Sequence, residues 1–416
     1  METAARPARG TGPGLLYYHA TLTVTASKNL MPTQLLPVLD RIRQLIATPS
    51  VSSVSPQFDQ SNRPVVELLA GWLEDARFAV RIEPLPGRPD KANLIATLGS
   101  GPGGLVLAGH TDTVPYDAGR WRYGPFGGTV ADGRIYGLGS ADMKSFLALA
   151  IAAAREFTAR ELRQPLVLLA TADEESGMDG ARALAAAGQP LGRRALIGEP
   201  TNLKPVRLHK GILMEAIRLE GRAGHSSNPA LGVNALEGMH RVIGELLRWR
   251  AELQARYRNP LFEVAVPTLN LGRIHGGDNP NRICADCELH IDIRPLPGMT
   301  LAEVRSELHG RLRSLLADSA LELRFTPLFE GIEALETSAT ATIVRAVEEL
   351  TDAAAGAVGF GTEGPYLTAL GMETVILGPG GVDCAHQPDE YLTLALIEPT
   401  LTLLRKLIHR FCVESA

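Results

Sequence analysis

Apolar positions recur along this chain with two periods. At Leu36, Leu39, Ile42, Leu45 and Ile46 they fall at helical spacing, and Thr48-Pro49-Ser50 stops that pattern. Val65, Leu68, Leu69, Trp72, Leu73 and Ala76 repeat it just after Pro64, a residue that a first helical turn tolerates. Short, continuously apolar runs at 93–98, 105–108, 166–172, 195–197 and 374–377 predict buried strands. Helical patterns at 143–157, 179–187, 339–350 and 395–411 are interleaved with them. Helices alternating with such strands predict an α/β unit built on a mostly parallel sheet flanked by helices.

The pattern changes around Gly211. A strand at 213–219, a helix at 234–253, strands at 268–274 and 283–294, a helix at 301–316 and a strand at 321–325 follow one another. This β-α-β-β-α-β order is that of a ferredoxin-like split motif. The expected organisation is a discontinuous α/β domain of residues 31–211 and 327–416, with a smaller α+β domain of 212–326 inserted into it. Residues 1–30 mix Gly, Pro, Arg and Thr without a sustained period. They are expected to form a disordered extension, or to follow from an upstream start codon, with Met31 opening the ordered chain.

In the 283–294 run, Ile283, Ala285, Cys287, Leu289, Ile291 and Ile293 alternate with polar residues and Cys284. A strand with period two places Cys284 and Cys287 on opposite faces, which argues against a metal held by this C-x-x-C pair.

The chain has 416 residues, 45% hydrophobic and 21% charged, the mix of a globular protein with ample core. A net charge of −5 without a long basic block argues against nucleic acid as a partner. No apolar run reaches the roughly 18 residues that span a bilayer, so no membrane partner is expected. Four cysteines are too few for a disulfide scaffold and fit a reducing, cytoplasmic setting.

The chemistry gathers where the predicted strands end. The 166–172 run leads into Asp173-Glu174-Glu175, three acids that repel one another when packed together. Taken alone they fit a solvated turn, since charged residues are mostly exposed. Other strand ends carry Gly109-His110-Thr111-Asp112, Gly198-Glu199-Pro200, and Gly378-Pro379-Gly380-Gly381 followed by His386. Ligands of an open parallel sheet bind outside the carboxyl ends of its strands. His110, Glu174, Glu175, Glu199 and His386 are therefore expected on one rim, with Asp142 reaching it from the start of a helix. Two imidazoles and several carboxylates suit zinc, and also cobalt or manganese. The excess of carboxylates favours two cations over one. A dinucleotide site is not expected, because no G-x-G-x-x-G follows a first strand.

The motifs His110-Thr111-Asp112-Thr113-Val114-Pro115, Gly137-Leu138-Gly139-Ser140-Ala141-Asp142-Met143-Lys144, Asp173-Glu174-Glu175 and Gly198-Glu199-Pro200-Thr201 resemble those of the dinuclear zinc aminoacylase/carboxypeptidase/desuccinylase family. The resemblance runs from about Leu35 to Cys412. It implies a zinc-exopeptidase-like catalytic domain with an inserted dimerisation and lid domain, and two Zn2+ per subunit, with Co2+ as a substitute. It implies that His110 and Glu199 hold one ion, Glu175 and His386 the other, and that Asp142 bridges them. Asp112 would hydrogen-bond the second nitrogen of His110, and Glu174 would be the general base. His225 would reach a neighbouring subunit's site, which implies a homodimer.

Asn281, Arg282 and Arg294 are the candidates for a substrate carboxylate, which suits the forked guanidinium. The segments Gly361-Thr362-Glu363-Gly364 and Gly378–Gly381 are expected to line the pocket. The implied reaction is hydrolysis of an N-acyl amino acid. N2-acetyl-L-ornithine is the leading substrate, and acetylcitrulline, succinyl-diaminopimelate or a broad range of N-acyl amino acids are the alternatives. The role of Asp173 is left open beyond structural hydrogen bonding.

Overall fold

The computed structural model describes residues 36–414; the expected 1–30 extension and the proposed start at Met31 lie outside them. The chain is α/β, built on a nine-stranded sheet. Its centre is four parallel strands, in the order Leu166–Thr171, Leu105–His110, Arg194–Pro200 and Glu373–Gly378. Every residue of the first three is buried. Alternate side chains enter two different cores. Leu105 and Leu107 pack with the helices Leu36–Ile46, Lys144–Ala154 and Ile397–Ile408, whereas Val106 and Ala108 pack toward Leu184 and Leu367 on the opposite face. A sheet covered on both faces carries no polar stripe, which is why its strands are unbroken apolar runs.

The parallel character stops at the edges. Arg88–Leu98 pairs antiparallel with Leu166–Thr171, and Ala79–Leu85 extends the sheet as an antiparallel strand that the sequence pattern does not announce. Val206–His209, Leu335–Glu336 and Gly356–Val358 close the other edge and were likewise not expected. Ala79–Leu85 has largely half-exposed side chains, so it lacks the apolar signature of the centre.

The expected β-α-β-β-α-β unit is present as Leu213–Glu220, Ala235–Arg256, Thr268–Gly276, Asp286–Arg294, Leu301–Leu315 and Glu322–Pro327. Its sheet is wholly antiparallel, with Leu213–Glu220 and Asp286–Arg294 as the inner pair. It has a core of its own around Ile217, Trp249, Leu289 and Leu308. Its strand starts at Asp286, so the predicted alternation fails at Cys284. Cys284 and Cys287 are both buried in this core, and Cys284 Sγ donates to the Asp286 carbonyl at 3.0 Å. Among the described residues neither belongs to a metal-binding group.

Candidate metal centre

Register brings the strand ends together. His110 pairs with Thr171, so the Asp173–Glu175 turn emerges beside it. Ala108 pairs with Ile197, which places Glu199 two residues further on, level with His110. Gly198 must be glycine: a Cβ there would lie 2.0 Å from the Phe146 ring. Gly378 pairs with Pro200, and the loop beyond it carries His386 at φ +59°.

Ligand atoms of His110, Asp142 and Glu175 all lie within 4.8 Å of one another. His110 Nδ1 is 3.0 Å from the Asp112 carbonyl, which can only accept, so this nitrogen carries a proton. The tautomer leaves Nε2 facing Asp142 Oδ1 at 3.0 Å and Glu199 Oε1 at 3.9 Å. His386 Nε2 lies 3.0 Å from Glu175 Oε1 and 3.4 Å from Asp142 Oδ2. Asp142 thus offers one oxygen to each histidine.

Asp112 departs from expectation. Its carboxylate Oδ1 is 3.7 Å from His110 Nδ1, and its main-chain carbonyl makes the hydrogen bond instead. The Asp112 carboxylate turns to the acidic loop, where Oδ2 accepts from the Glu175 N–H at 3.0 Å. It therefore orients one histidine through its backbone and one glutamate through its side chain.

Electrostatics mark the cluster as short of positive charge. Burial, reinforced by Glu199, pushes the Glu174 carboxyl well above its ordinary range. Burial and the nearby Asp142 do the same to Glu199, and Glu175 is raised by the same two causes. Burial opposes ionisation of Asp142, but hydrogen bonds from His110 and His386 outweigh it and hold this carboxyl low. The same contacts, with Asp142 first and Glu175 second, push His386 up to about 10. Glu199 Oε1 and Asp112 Oδ1 are buried without a hydrogen-bond partner. Of these, Glu199 Oε1 lies on the Nε2 side of His110, and an unpartnered buried carboxylate oxygen there fits a divalent cation, which would supply the missing charge. Glu174 is also buried, and among the described residues no donor reaches its carboxylate, so it is free to accept a proton.

Three participants escaped the sequence reasoning. Glu390 Oε1 accepts from the N–H groups of Ala141 and Asp142 at 2.8 and 3.0 Å, fixing the turn that presents Asp142. Glu363, in a segment expected only to line the pocket, is fully buried with both oxygens unpartnered, and burial pushes it up to about 7. Lys144 is buried behind Asp142, donates to the Leu45 and Thr48 carbonyls, and is pushed down to about 7 by burial. A single Glu or Lys within a motif carries no sign of such burial, so the only available signal was proximity in sequence, of Lys144 to Asp142 and of Glu390 to His386, and Glu363 had none.

The remaining candidates lie elsewhere. His225 is exposed, and its Nδ1 accepts from Ser227 Oγ at 2.7 Å. Ser226 N–H donates to the Asn281 carbonyl at 3.1 Å, and Arg282 bridges to His225 along the backbone while its guanidinium pairs with Asp278. His225, Asn281 and Arg282 thus form one exposed patch, which no hydrogen bond or ion pair among the described residues joins to the acidic cluster. Arg294 is not part of that patch. It ends the Asp286–Arg294 strand, pairs with Asp292 at 3.0 Å, and lines a cavity of about 470 Å³ with Lys210, Phe262, Thr268 and Phe360. A smaller cavity of about 320 Å³ adjoins His386 and is lined by Phe58, Tyr116 and Trp121.

Comparison with known proteins agrees with this geometry. A curated acetylornithine deacetylase from Edwardsiella ictaluri (strain 93-146) is 51% identical over 382 residues, covering 92% of this chain and all of that protein. Two solved structures share the fold at low identity. A metallo-carboxypeptidase from Sulfolobus solfataricus has a TM-score of 0.70 at 18% identity, covering 91% of this chain and 99% of its own. A dinuclear metal-binding peptidase from Bacillus subtilis has a TM-score of 0.65 at 15% identity, covering 91% and 98%. The family model described as peptidase family M20/M25/M40 matches residues 106–410. With the metal-ligand cluster at its sheet rim and these matches along most of its length, the chain belongs to peptidase family M20/M25/M40 and is a metal-dependent amidohydrolase.

Proposed function

We propose that this enzyme removes the acetyl group from N2-acetyl-L-ornithine, giving L-ornithine and acetate. The observation that carries the substrate assignment is the match to the Edwardsiella acetylornithine deacetylase over that protein's full length. His110 and Glu199 would hold one Zn2+, Glu175 and His386 the other, with Asp142 between them and Co2+ able to replace either. The pairing of each Asp142 oxygen with a different histidine supports this division. When bound, the ions supply Lewis-acid polarisation of the amide carbonyl and lower the pKa of a nearby water.

The chain's residues do the rest. Glu174 takes the proton from the attacking water and returns it to the leaving amine, a cycle suited to a carboxyl whose burial raises its proton affinity well above that of an exposed glutamate. Asp112 holds Glu175 and the His110 tautomer in place. Arg294, which lines a cavity at the end of its strand, stays a candidate for the substrate carboxylate beside Asn281 and Arg282.

The inserted domain, residues 212–326, would join two copies and act as a lid. The exposed patch of His225, Asn281 and Arg282 would then face a partner's acidic cluster, a role that only a homodimer allows. No helix among the described residues is long and apolar enough to cross a membrane, and the four cysteines are free. The free cysteines suit the reducing, cytoplasmic setting expected from the sequence.

The deciding experiment is a steady-state comparison of N2-acetyl-L-ornithine, acetylcitrulline and succinyl-diaminopimelate on zinc-loaded protein. A kcat/KM highest for acetylornithine is the expected result. A clear preference for either competitor overturns the substrate assignment and leaves the mechanism standing.

A further inference from the structure

Asp173 precedes the two glutamates assigned above, and neither a metal nor a proton was given to it. It adopts a left-handed backbone at φ +58° and is 2% exposed. An aspartate tolerates that conformation better than most residues, but a buried carboxylate still needs partners. The partners come from two distant segments. Lys91, itself fully buried, places Nζ 2.6 Å from Asp173 Oδ1 and 2.9 Å from Asp59 Oδ1. Ser52 Oγ donates to the same Asp173 oxygen at 2.9 Å and lies 2.5 Å from Ser176 Oγ. The Asp173 carbonyl accepts from Gly177 and Met178 at 3.1 and 2.7 Å. The acidic loop is thus anchored on both sides of Glu174 and Glu175, at Asp173 and at Ser176.

We propose that the buried Lys91–Asp173 pair, steadied by Ser52, is a positioning device that sets the direction of Glu174 and Glu175 and so governs metal affinity and turnover. The inference rests on the roles assigned to those glutamates. Burial by itself would drive the Lys91 ammonium toward neutrality, yet the hydrogen bonds it donates to Asp173 and Asp59 overcome it and keep the charge in place. Lys91 has no exposed surface, and its ion-pair partners among the described residues are Asp173 and Asp59, so a shift of the acidic loop breaks a pair that no water can replace. Groups that orient metal-binding side chains typically govern affinity by about 10–100-fold.

The test uses the full chain and reads Zn2+ affinity by competition with a chelating dye, separately from kcat and KM on N2-acetyl-L-ornithine. Lys91→Met is expected to weaken Zn2+ binding and lower kcat by about 10–100-fold each, with KM nearly unchanged. Ser52→Ala, which removes one hydroxyl and no charge, is expected to move both quantities in the same direction by about tenfold or less. A fall in unfolding temperature with Zn2+ affinity and kcat at wild-type values would show a purely structural pair and overturn the proposal. If Lys91→Met does not fold, Ser52→Ala decides alone, and an unchanged affinity in that variant overturns it. Wild-type protein that binds Zn2+ but leaves acetylornithine intact sinks the substrate assignment, while the affinity readout still judges the pair.

Discussion

Glu174→Gln separates proton transfer from metal binding at this site. Glutamine matches glutamate in shape but cannot accept the proton. General acid–base catalysis contributes about 10²–10⁴-fold, or about 2.7–5.4 kcal/mol of barrier, so kcat should fall by that factor. The metal content should stay at wild-type level, because the ligand atoms that converge belong to His110, Asp142 and Glu175. Stability should move the opposite way to activity. Beyond the cost of its burial, Glu174 feels the negative charges of Glu199, Glu175 and Glu363, which together outweigh the attraction of His110. Like charges about 6 Å apart repel by roughly 3 kcal/mol at an effective dielectric near 20. Removing one of them should leave the metal-free variant at least as stable as the parent. The assays are initial rates of amide loss, metal content by atomic absorption, and thermal unfolding in chelator. Turnover within tenfold of wild type would refute the base assignment, and loss of metal would make Glu174 a ligand.

In metal-free protein, Glu174 and Glu199 have folded pKa values above their unfolded ones, so the folded state binds more protons and stability falls as pH rises from about 4.5. His386, raised to about 10, acts in the same direction: its contribution is complete below about 6.5 and is lost as pH climbs through the folded value. Unfolding temperatures in chelator should therefore decline from pH 5 to pH 9, with added Zn2+ flattening the curve. A flat or rising metal-free curve would contradict this. Glu390→Ala leaves the Ala141 and Asp142 N–H groups without their acceptor, at about 1–3 kcal/mol each. Denaturant unfolding should show a loss of about 2–6 kcal/mol, and Zn2+ affinity should drop with it. A variant of wild-type stability would mean that water replaces the carboxylate. Arg294→Ala should raise KM for the acetylated amino acid more than Arg282→Ala does in a monomeric preparation; equal effects would place both arginines in the pocket.

The central strands were legible because burial on both faces removes every polar position from them. His110, Glu175 and Glu199 were legible because parallel strands end together, so motifs at their ends share a rim. The same reasoning failed where burial is one-sided or absent. The Ala79–Leu85 edge strand carries a mixed pattern, and Cys284 precedes its strand rather than lying on it.

By itself the sequence determined the periodicities, the β-α-β-β-α-β unit and the list of candidate ligands, because those depend on neighbours in the chain. Tertiary structure alone decided which of them meet. Asp142 lies between His110 and His386, which are 276 positions apart in the numbering. Asp173 found Lys91, and Glu390 took hold of the Asp142 turn. The Asp112 carboxylate turned from the histidine to the Glu175 N–H. Each of these pairings depends on strand register and on the exclusion of water, which leaves a buried charge only the partner that the fold delivers. Neither is encoded at any one position of the chain.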